Sequence, residues 1–253
     1  MLDNKYIKSI KFYILCNTYF KILRRVNSVR PEIFSDPLDN ILVIAPHPDD
    51  DVLGCGGLLA KSRGKRIKVI FITDGSHGAG DKNEGDLTDR RKKEARESLN
   101  YLGISDICFL NIEDGKVSEN LVEISEMLKD TLAGWDNIFI PHLLDNHHDH
   151  KAATLALYGA LDKIKNASHN IWFYEVWTTL IPNVLIDITD VAEDKAAAIN
   201  KHQSQVNCID YSGKIMGLNT YRAISAPDNE KTKYCEAYYR CSVNEFKHMV
   251  EVF

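Results

Sequence analysis

Residues 41–57 read ILVIAPHPDDDVLGCGG, and this stretch decides the fold class. Ile41–Ala45 is a continuous apolar run, which is typical of a strand buried on both faces of a parallel sheet. The glycines at 54, 56 and 57 favour a helix that packs closely against that strand. The stretch therefore predicts a strand, a stiff turn and a helix, which is the repeating unit of an α/β protein.

The alternation of strands and helices continues along the chain. Further strands are predicted over residues 68–73, 106–112, 137–141, 171–176 and 184–188, with a late edge strand over 234–241. Helices are predicted over residues 52–62, 88–102, 121–132, 148–163 and 191–205. We therefore predict a three-layer α/β fold, in which a mostly parallel, twisted sheet has helices on both faces, as in Rossmann-like proteins. Ligands of such sheets bind at the carboxyl ends of the strands.

The composition is that of a globular protein. The chain has 253 residues, of which 44% are hydrophobic and 26% are charged. We expect residues 39–253 to form one domain, with residues 1–38 as an amphipathic helix and linker packed on it. No apolar run is long enough to predict a transmembrane helix. Cations flank aromatic residues in the N-terminal segment, so contact with a membrane surface stays open as an alternative.

Charge and cysteine usage limit the partners and the compartment. The formal net charge is −5, so the chain lacks the basic excess with which proteins hold a nucleic-acid backbone. The six cysteines include no C-x-x-C pair, and a domain of this length does not need disulfides. We expect a cytoplasmic protein that does not bind nucleic acid, and the sequence leaves a homo-oligomer open.

The first motif with chemical content is PHPDDD, residues 46–51. Three adjacent carboxylates behind a histidine repel one another unless a cation lies among them. Pro46 and Pro48 fix two φ angles, so the turn is stiff enough to hold metal ligands. An acidic N-cap would explain the aspartates through the helix dipole, but it explains neither the histidine nor the prolines.

The second motif, PHLLDNHHDH, covers residues 141–150 after another predicted strand. It contains four of the nine histidines, and imidazole is a common ligand of transition metals. His147 and His150 are three residues apart at a helix start and share a face, and Asp149 can orient one of the rings. A surface histidine cluster is the alternative. Both motifs lie at the same edge of the predicted sheet, which favours a hydrolytic metal site of two histidines and one carboxylate with an open position for water.

These motifs resemble the signatures of the LmbE/PIG-L family of metal-dependent deacetylases of N-acetylated sugars. PHPDDD is similar to the family's A-H-P-D-D-E, and HHDH at residues 147–150 is similar to its H-x-D-H. Shorter similarities are Thr73-Asp74-Gly75, the R-x-x-E-A pattern that starts at Arg91, Leu102-Gly103 and Asp114-Gly115. The resemblance covers residues 41–205.

The resemblance implies a metal site with an adjacent base. His47, Asp50 and His150 are the implied ligands of Zn²⁺, with Fe²⁺ as the alternative metal. Asp49 is the implied general base that takes the proton of the attacking water.

The resemblance also implies roles around that centre. His147, as a cation, would stabilise the oxyanion or protonate the leaving amine, with Asp149 orienting it. Arg91 resembles the arginine that grips the substrate, and a solvated helix face is the alternative for it. Three positions depart from the family: Asp51 replaces the usual glutamate, His148 stands where many members have proline, and Asp145 stands where some members have an oxyanion-binding tyrosine.

The substrate contacts are predicted from the end of the strand at 171–176. Tyr174, Glu175 and Trp177 combine aromatic faces with a polar group, which suits a sugar, although core packing is the alternative for Tyr174. Residues 202–205 and 219–222 are further polar candidates.

The predicted function is a zinc-dependent hydrolase that removes the acetyl group from a small N-acetylated amino sugar or glycoconjugate. An amidase for a non-sugar N-acyl substrate uses the same metal chemistry and differs only in its pocket. A catalytically silent sugar- or metal-binding module is the non-enzymatic alternative. A non-haem Fe(II) oxygenase shares the ligand set, but such enzymes usually have all-β scaffolds.

Overall fold

The computed structural model describes residues 31–78, 87–226 and 231–252. These residues contain an eight-stranded sheet in the order β1-β7-β8-β6-β5-β2-β3-β4. The strands are β1 (Glu32–Phe34), β2 (Ile41–Ala45), β3 (Ile67–Thr73), β4 (Ile107–Ile112), β5 (Asn137–Pro141), β6 (Asn170–Tyr174), β7 (Val184–Asp187) and β8 (Cys235–Ser242). All neighbouring pairs are parallel except those of β8, which is antiparallel to both β6 and β7.

Helices cover both faces of this sheet. They are α1 (Asp50–Lys61), α2 (Leu87–Tyr101), α3 (Leu121–Leu132), α4 (His148–Asp162), α5 (Ala192–Ile199), α6 (Gln203–Val206), α7 (Tyr211–Arg222) and α8 (Val243–Val252). One core cluster includes residues of α1, α2 and α5, and a second includes residues of α3, α4 and α8. Alternate residues of β2 belong to the two clusters, so an unbroken apolar run is what this strand requires. The predicted α/β fold is confirmed.

The strand order places a switch point beside β2. The chain passes from β2 to β3 and β4 on one side, and then crosses to β5 on the other side of β2. Loops that leave β2 and β5 therefore diverge at the carboxyl edge of the sheet, where doubly wound proteins bind ligands.

The glycines of α1 let this helix lie directly on its neighbours. A Cβ at Gly54 would overlap the ring of Tyr174, and one at Gly57 would lie 2.6 Å from Cγ2 of Ile188. The close approach sets the position of α1, whose N-cap residue and first turn carry the PHPDDD aspartates.

A buried ion pair between Glu236 and Lys195 contacts the middle of α1. The carboxylate of Glu236 accepts the amides of Gly57 and Leu58 at 2.7 and 2.8 Å, and it also accepts Nζ of Lys195 at 2.6 Å. The Tyr238 hydroxyl donates to the same carboxylate at 2.7 Å. Because both ion-pair partners are buried, each charge depends on the other.

One predicted helix is wrong in extent. Residues 191–205 form two helices, α5 and α6, with a break at 200–202. The amide of Ser204 and its hydroxyl both donate to the carboxylate of Glu94, at 2.8 and 2.5 Å. Because the Ser204 amide donates to Glu94, it does not donate to the carbonyl four residues earlier, as a continuous helix would require. The helix therefore ends without a local glycine or proline.

The predicted edge position of the last strand is also wrong. Strand β8 lies inside the sheet, between β6 and β7, and the edge strand on that side is β1. Residues 32–34, predicted as linker, form this edge strand by pairing with residues 184–186. Helices α7 and α8 were not predicted.

Two expectations concern residues outside the described ranges. The predicted N-terminal helix falls within residues 1–30. Residues 75–86 are rich in glycine and charge, which predicts a long loop, and most of them fall within residues 79–86. None of the helices in the described ranges is both long and apolar enough to cross a bilayer.

Candidate active site

The three predicted metal ligands meet at the switch point. His47 and Asp50 follow β2, and His150 lies in the first turn of α4 after β5. Nδ1 of His47 lies 3.0 Å from Oδ2 of Asp50 and 3.3 Å from Nε2 of His150, and that nitrogen lies 3.1 Å from Oδ2 of Asp50. All three side chains are buried.

This triangle suits one metal ion. Ligand atoms about 2.1 Å from a tetrahedral ion lie roughly 3.4 Å apart, close to the observed separations. Burial would raise the pKa of Asp50, but the charges of His150 and His47 hold it well below its usual range. Burial lowers the pKa of His150, but Asp50 and Asp145 raise it to about 9. The Asp50 carboxylate therefore stabilises positive charge beside it, and a bound cation would supply such a charge.

Carboxylates surround the outer nitrogens of the two histidines predicted as metal ligands. Nε2 of His47 lies 3.3 Å from Oδ1 of Asp114 and 3.4 Å from Oδ2 of Asp149. Nδ1 of His150 lies 3.4 Å from Oδ1 of Asp145. Burial would raise the pKa of Asp114, but the hydrogen bond with His47 and the charge of that ring lower it to about 2. Such carboxylates fix ring orientation at metal sites.

The carboxylate of Asp149 does not contact the ring of His147, which it was predicted to orient. It faces His47 and accepts the amide of Gly115 at 2.8 Å. The backbone amide of Asp149 donates to Nδ1 of His147 at 3.3 Å instead. Asp149 thus orients His147 through the main chain of the α4 N-terminus.

His147 lies beside the triangle in a form that differs from the cation we expected. Its ring centroid is 4.7 Å from that of His47 and 4.8 Å from that of His150. Burial, and then the charges of these two rings, lower the pKa of His147 to about 4. The ring is therefore neutral near pH 7. Because Nδ1 accepts a backbone amide, we assign the proton to Nε2, which is then a hydrogen-bond donor.

Asp49 lies next to the triangle and is held by Arg91. Nη2 of Arg91 is 3.2 Å from Oδ2 of Asp49, and Nη1 donates to the carbonyl of Gly75 at 2.9 Å. Arg91 is only 3% exposed, so it does not lie on a solvated helix face. Its terminal nitrogens are already paired within the protein, which makes it a partner of the candidate base.

The three predicted sugar contacts fall in different places. Tyr174 is fully buried and its hydroxyl donates to the carbonyl of Ile44 at 2.9 Å, so it is a core residue. Glu175 is paired with Arg222 and accepts the amide of Leu180 at 2.8 Å, so it stabilises the loop after β6. Only Trp177 presents its side chain outward, with 52% exposure.

Two residues near the centre, Asp114 and Tyr211, were not predicted to act there. Trp177 faces Tyr211 with ring centroids 6.1 Å apart. Burial, followed by the charges of Asp49 and Asp50, raises the pKa of Tyr211 to about 12. Asp114 could have been found from its position after a strand. Tyr211 could not be placed from the sequence, because the helix that it begins, α7, was not predicted.

Comparison with known proteins gives a consistent result. Residues 42–161 match the PIG-L family model, described as GlcNAc-PI de-N-acetylase. The diacetylchitobiose deacetylase of Thermococcus kodakarensis is 29% identical over an aligned length of 196 residues, and the match covers 69% of this chain and 72% of that protein. A probable N-acetyl-alpha-D-glucosaminyl L-malate deacetylase 2 of Bacillus subtilis is 30% identical over 189 residues, covering 66% of this chain and 83% of that protein.

A solved structure extends the similarity to the fold. The N,N'-diacetylchitobiose deacetylase from Pyrococcus horikoshii has a TM-score of 0.65 and 27% identity to this chain, with 81% of this chain and 85% of that chain covered. The matched family segment spans both motifs that supply the triangle. On sequence, fold and the arrangement of its histidines and aspartates, this chain belongs to the LmbE/PIG-L family.

Proposed function

We propose that this protein is a metal-dependent N-deacetylase that converts an N-acetylated amino sugar, or a conjugate of one, to acetate and the free amine. The observation that carries the proposal is the triangle of His47, Asp50 and His150, with Asp49 and His147 beside it. The relatives named as deacetylases of N-acetylated sugars support the same reaction.

We propose Zn²⁺ as the metal, with Fe²⁺ as the alternative, because two nitrogens and one carboxylate oxygen suit both ions. When bound, such an ion supplies Lewis-acid chemistry, in which it polarises the amide carbonyl and acidifies a water molecule. The surrounding carboxylates of Asp114, Asp145 and Asp149 would hold the ligand rings in place.

Asp49 would act as the general base. Its ion pair with Arg91 turns Oδ2 towards the guanidinium, which favours the role of a base over that of a fourth metal ligand. As water adds to the carbonyl carbon, its proton passes to Asp49. We therefore assign Arg91 to positioning Asp49, in place of the substrate contact that the resemblance implied.

His147 would stabilise the negative charge on the carbonyl oxygen. Its neutral ring can donate from Nε2, and a donor fixed in a partly buried site is more effective than one in water. The C–N bond then breaks, and the proton held by Asp49 passes to the leaving nitrogen. The electron pair of the broken bond stays on that nitrogen, which gives a free amine and acetate.

Trp177 is the substrate contact that we retain. An exposed indole beside Tyr211 offers an apolar face to a sugar ring or to the group attached to it. A non-sugar N-acyl substrate would use the same centre, and its pocket contacts are the only difference. A cytoplasmic location, a homo-oligomer and membrane contact through the N-terminal segment rest on the sequence alone and stay predictions.

Two measurements test the function together. Elemental mass spectrometry should find about one zinc or iron per chain in the wild type and none in a His47→Ala, His150→Ala double variant. Free-amine release should then occur with N-acetylglucosamine or N,N'-diacetylchitobiose, and should exceed release from N-acetyl amino acids. Preference for the amino acids would favour the alternative amidase, and a chain that binds no added zinc or iron would refute the metal mechanism.

A further inference from the structure

Asp145 lies between the metal triangle and the exposed Trp177. It follows β5, and its side chain is completely buried. Oδ1 lies 3.4 Å from Nδ1 of His150 and accepts the amide of His147 at 2.9 Å. Oδ2 accepts the amide of Trp177 at 3.0 Å and that of Thr178 at 3.3 Å. One oxygen therefore faces the metal centre, and the other faces the loop that carries Trp177.

A second hydrogen bond joins the same two loops. The amide of Asn146 donates to Oγ1 of Thr178 at 2.9 Å. The loop after β5 and the loop after β6 are thus connected at adjacent positions, 145 and 146. All the groups that meet Asp145 here are N–H donors or a ring nitrogen able to donate, so only a side chain with two acceptor oxygens satisfies both sides.

We propose that Asp145 is a positioning residue that couples metal binding at His150 to the order of the Trp177 loop. This inference rests on the proposed function, because it deepens the same site. A ligand histidine whose outer nitrogen faces a carboxylate is held more firmly when its inner nitrogen binds a metal, because the metal makes the outer N–H a stronger donor. The carboxylate that faces the outer nitrogen of His150 at 3.4 Å also holds the Trp177 and Thr178 amides. Metal binding therefore prepares the rim of the substrate site as well as the reacting centre.

The tryptophans provide a reporter for this coupling. The chain has three: Trp135 and Trp172 are 5% and 1% exposed, whereas Trp177 is 52% exposed. Acrylamide quenching of the wild type minus that of Trp177→Phe isolates the Trp177 signal. The phenylalanine variant keeps the backbone amide that Asp145 accepts, so it should bind zinc like the wild type.

The sharpest variant is Asp145→Asn, because asparagine has a single acceptor oxygen. Zinc should turn this oxygen towards His150 and leave the amide nitrogen facing the Trp177 and Thr178 donors. We expect zinc affinity, measured by competition with a chelator, to fall roughly 10- to 100-fold. We also expect zinc to increase quenching of Trp177 in the variant and to decrease or preserve it in the wild type.

Asp187→Asn is the matched control, since the carboxylate of Asp187 also accepts a loop amide, that of Thr189 at 2.9 Å, but lies at the end of β7. It should leave zinc affinity and Trp177 quenching unchanged. Wild-type zinc affinity in Asp145→Asn, or quenching that zinc changes equally in variant and wild type, would overturn the coupling.

A measurement on the unaltered protein covers the case in which Asp145→Asn does not fold. Hydrogen exchange of a peptide covering residues 175–180 should slow when zinc is added to chelated wild-type protein. Equal exchange with and without zinc would refute the proposal. None of these readouts uses deacetylation, so failure of the coupling and failure of the proposed function are separately visible.

Discussion

Replacing the candidate base gives the most direct test of the chemistry. Asp49→Asn keeps the size of the side chain and one oxygen that Arg91 can still approach, but it removes the proton acceptor. General-base catalysis contributes about 10²- to 10⁴-fold to rate, so kcat should fall by that factor, which corresponds to about 3–5 kcal/mol of transition-state stabilisation. Metal content should stay at the wild-type value, because Asp49 belongs to none of the three short contacts of the triangle.

Asp49→Asn should also lower the stability of the protein, and this effect must be separated from the effect on kcat. Arg91 is buried and would lose its carboxylate partner at 3.2 Å, keeping the carbonyl of Gly75 at 2.9 Å. Losing one partner of a buried ion pair costs about 3–5 kcal/mol, and the remaining partners favour the lower value. The variant should melt at a lower temperature, so its turnover must be measured well below that transition.

Asp51→Asn is the matched control for this experiment. Asp51 is the next-but-one residue and is fully buried, and burial raises the pKa of its carboxyl well above its usual range. A protonated carboxyl resembles an amide in shape and charge, so this variant should keep turnover within a few fold of the wild type. The assay is free-amine release at saturating metal, with elemental analysis of the same samples. Near-normal turnover in Asp49→Asn with metal retained would refute the base assignment, and loss of metal would make Asp49 a ligand instead.

Three other outcomes are expected. Glu236→Gln should lower the free energy of unfolding by about 3–5 kcal/mol in urea titrations, because it leaves the buried ammonium of Lys195 without its counter-charge; unchanged stability would contradict this. Zinc at about 100 times its Kd should stabilise chelated wild-type protein by about 2.7 kcal/mol. The His47→Ala, His150→Ala variant should show no such gain. Trp177→Ala should raise KM by several fold with little change in kcat, since its ring lies at the rim. A fall in kcat alone would place Trp177 in the chemical step.

The parts of the fold and site that sequence predicts are those with local signals. Strand β2 can be predicted from the sequence because both of its faces are buried. The His47 turn can be predicted because charged residues are concentrated directly after that strand. The rule that ligands bind at the carboxyl ends of strands then places residues 47 and 150 at the same edge of the sheet.

What sequence does not predict depends on long-range contacts. The break before α6 arises from Glu94, 110 residues away, and no glycine or proline marks it. The interior position of β8 depends on where the chain returns after β7, which strand-like residues alone do not encode. The role of Asp145 arises from two loops that meet, and its partner Trp177 is 32 residues away in sequence.

The distribution of charge explains why the carboxyl edge of this sheet favours a bound metal ion. Asp49, Asp50, Asp114, Asp145 and Asp149 are each at most 8% exposed, and among the charged side chains at this edge only Arg91 supplies a permanent positive charge to them within the described ranges. Buried carboxylates in this number are costly without compensating cations. The two main core clusters are built from apolar residues of the sheet and its helices, so they hold the scaffold without an ion. Removing the metal should therefore loosen the loops at the strand ends while the sheet persists, and the free energy of metal binding is then used to order the groups that meet the substrate.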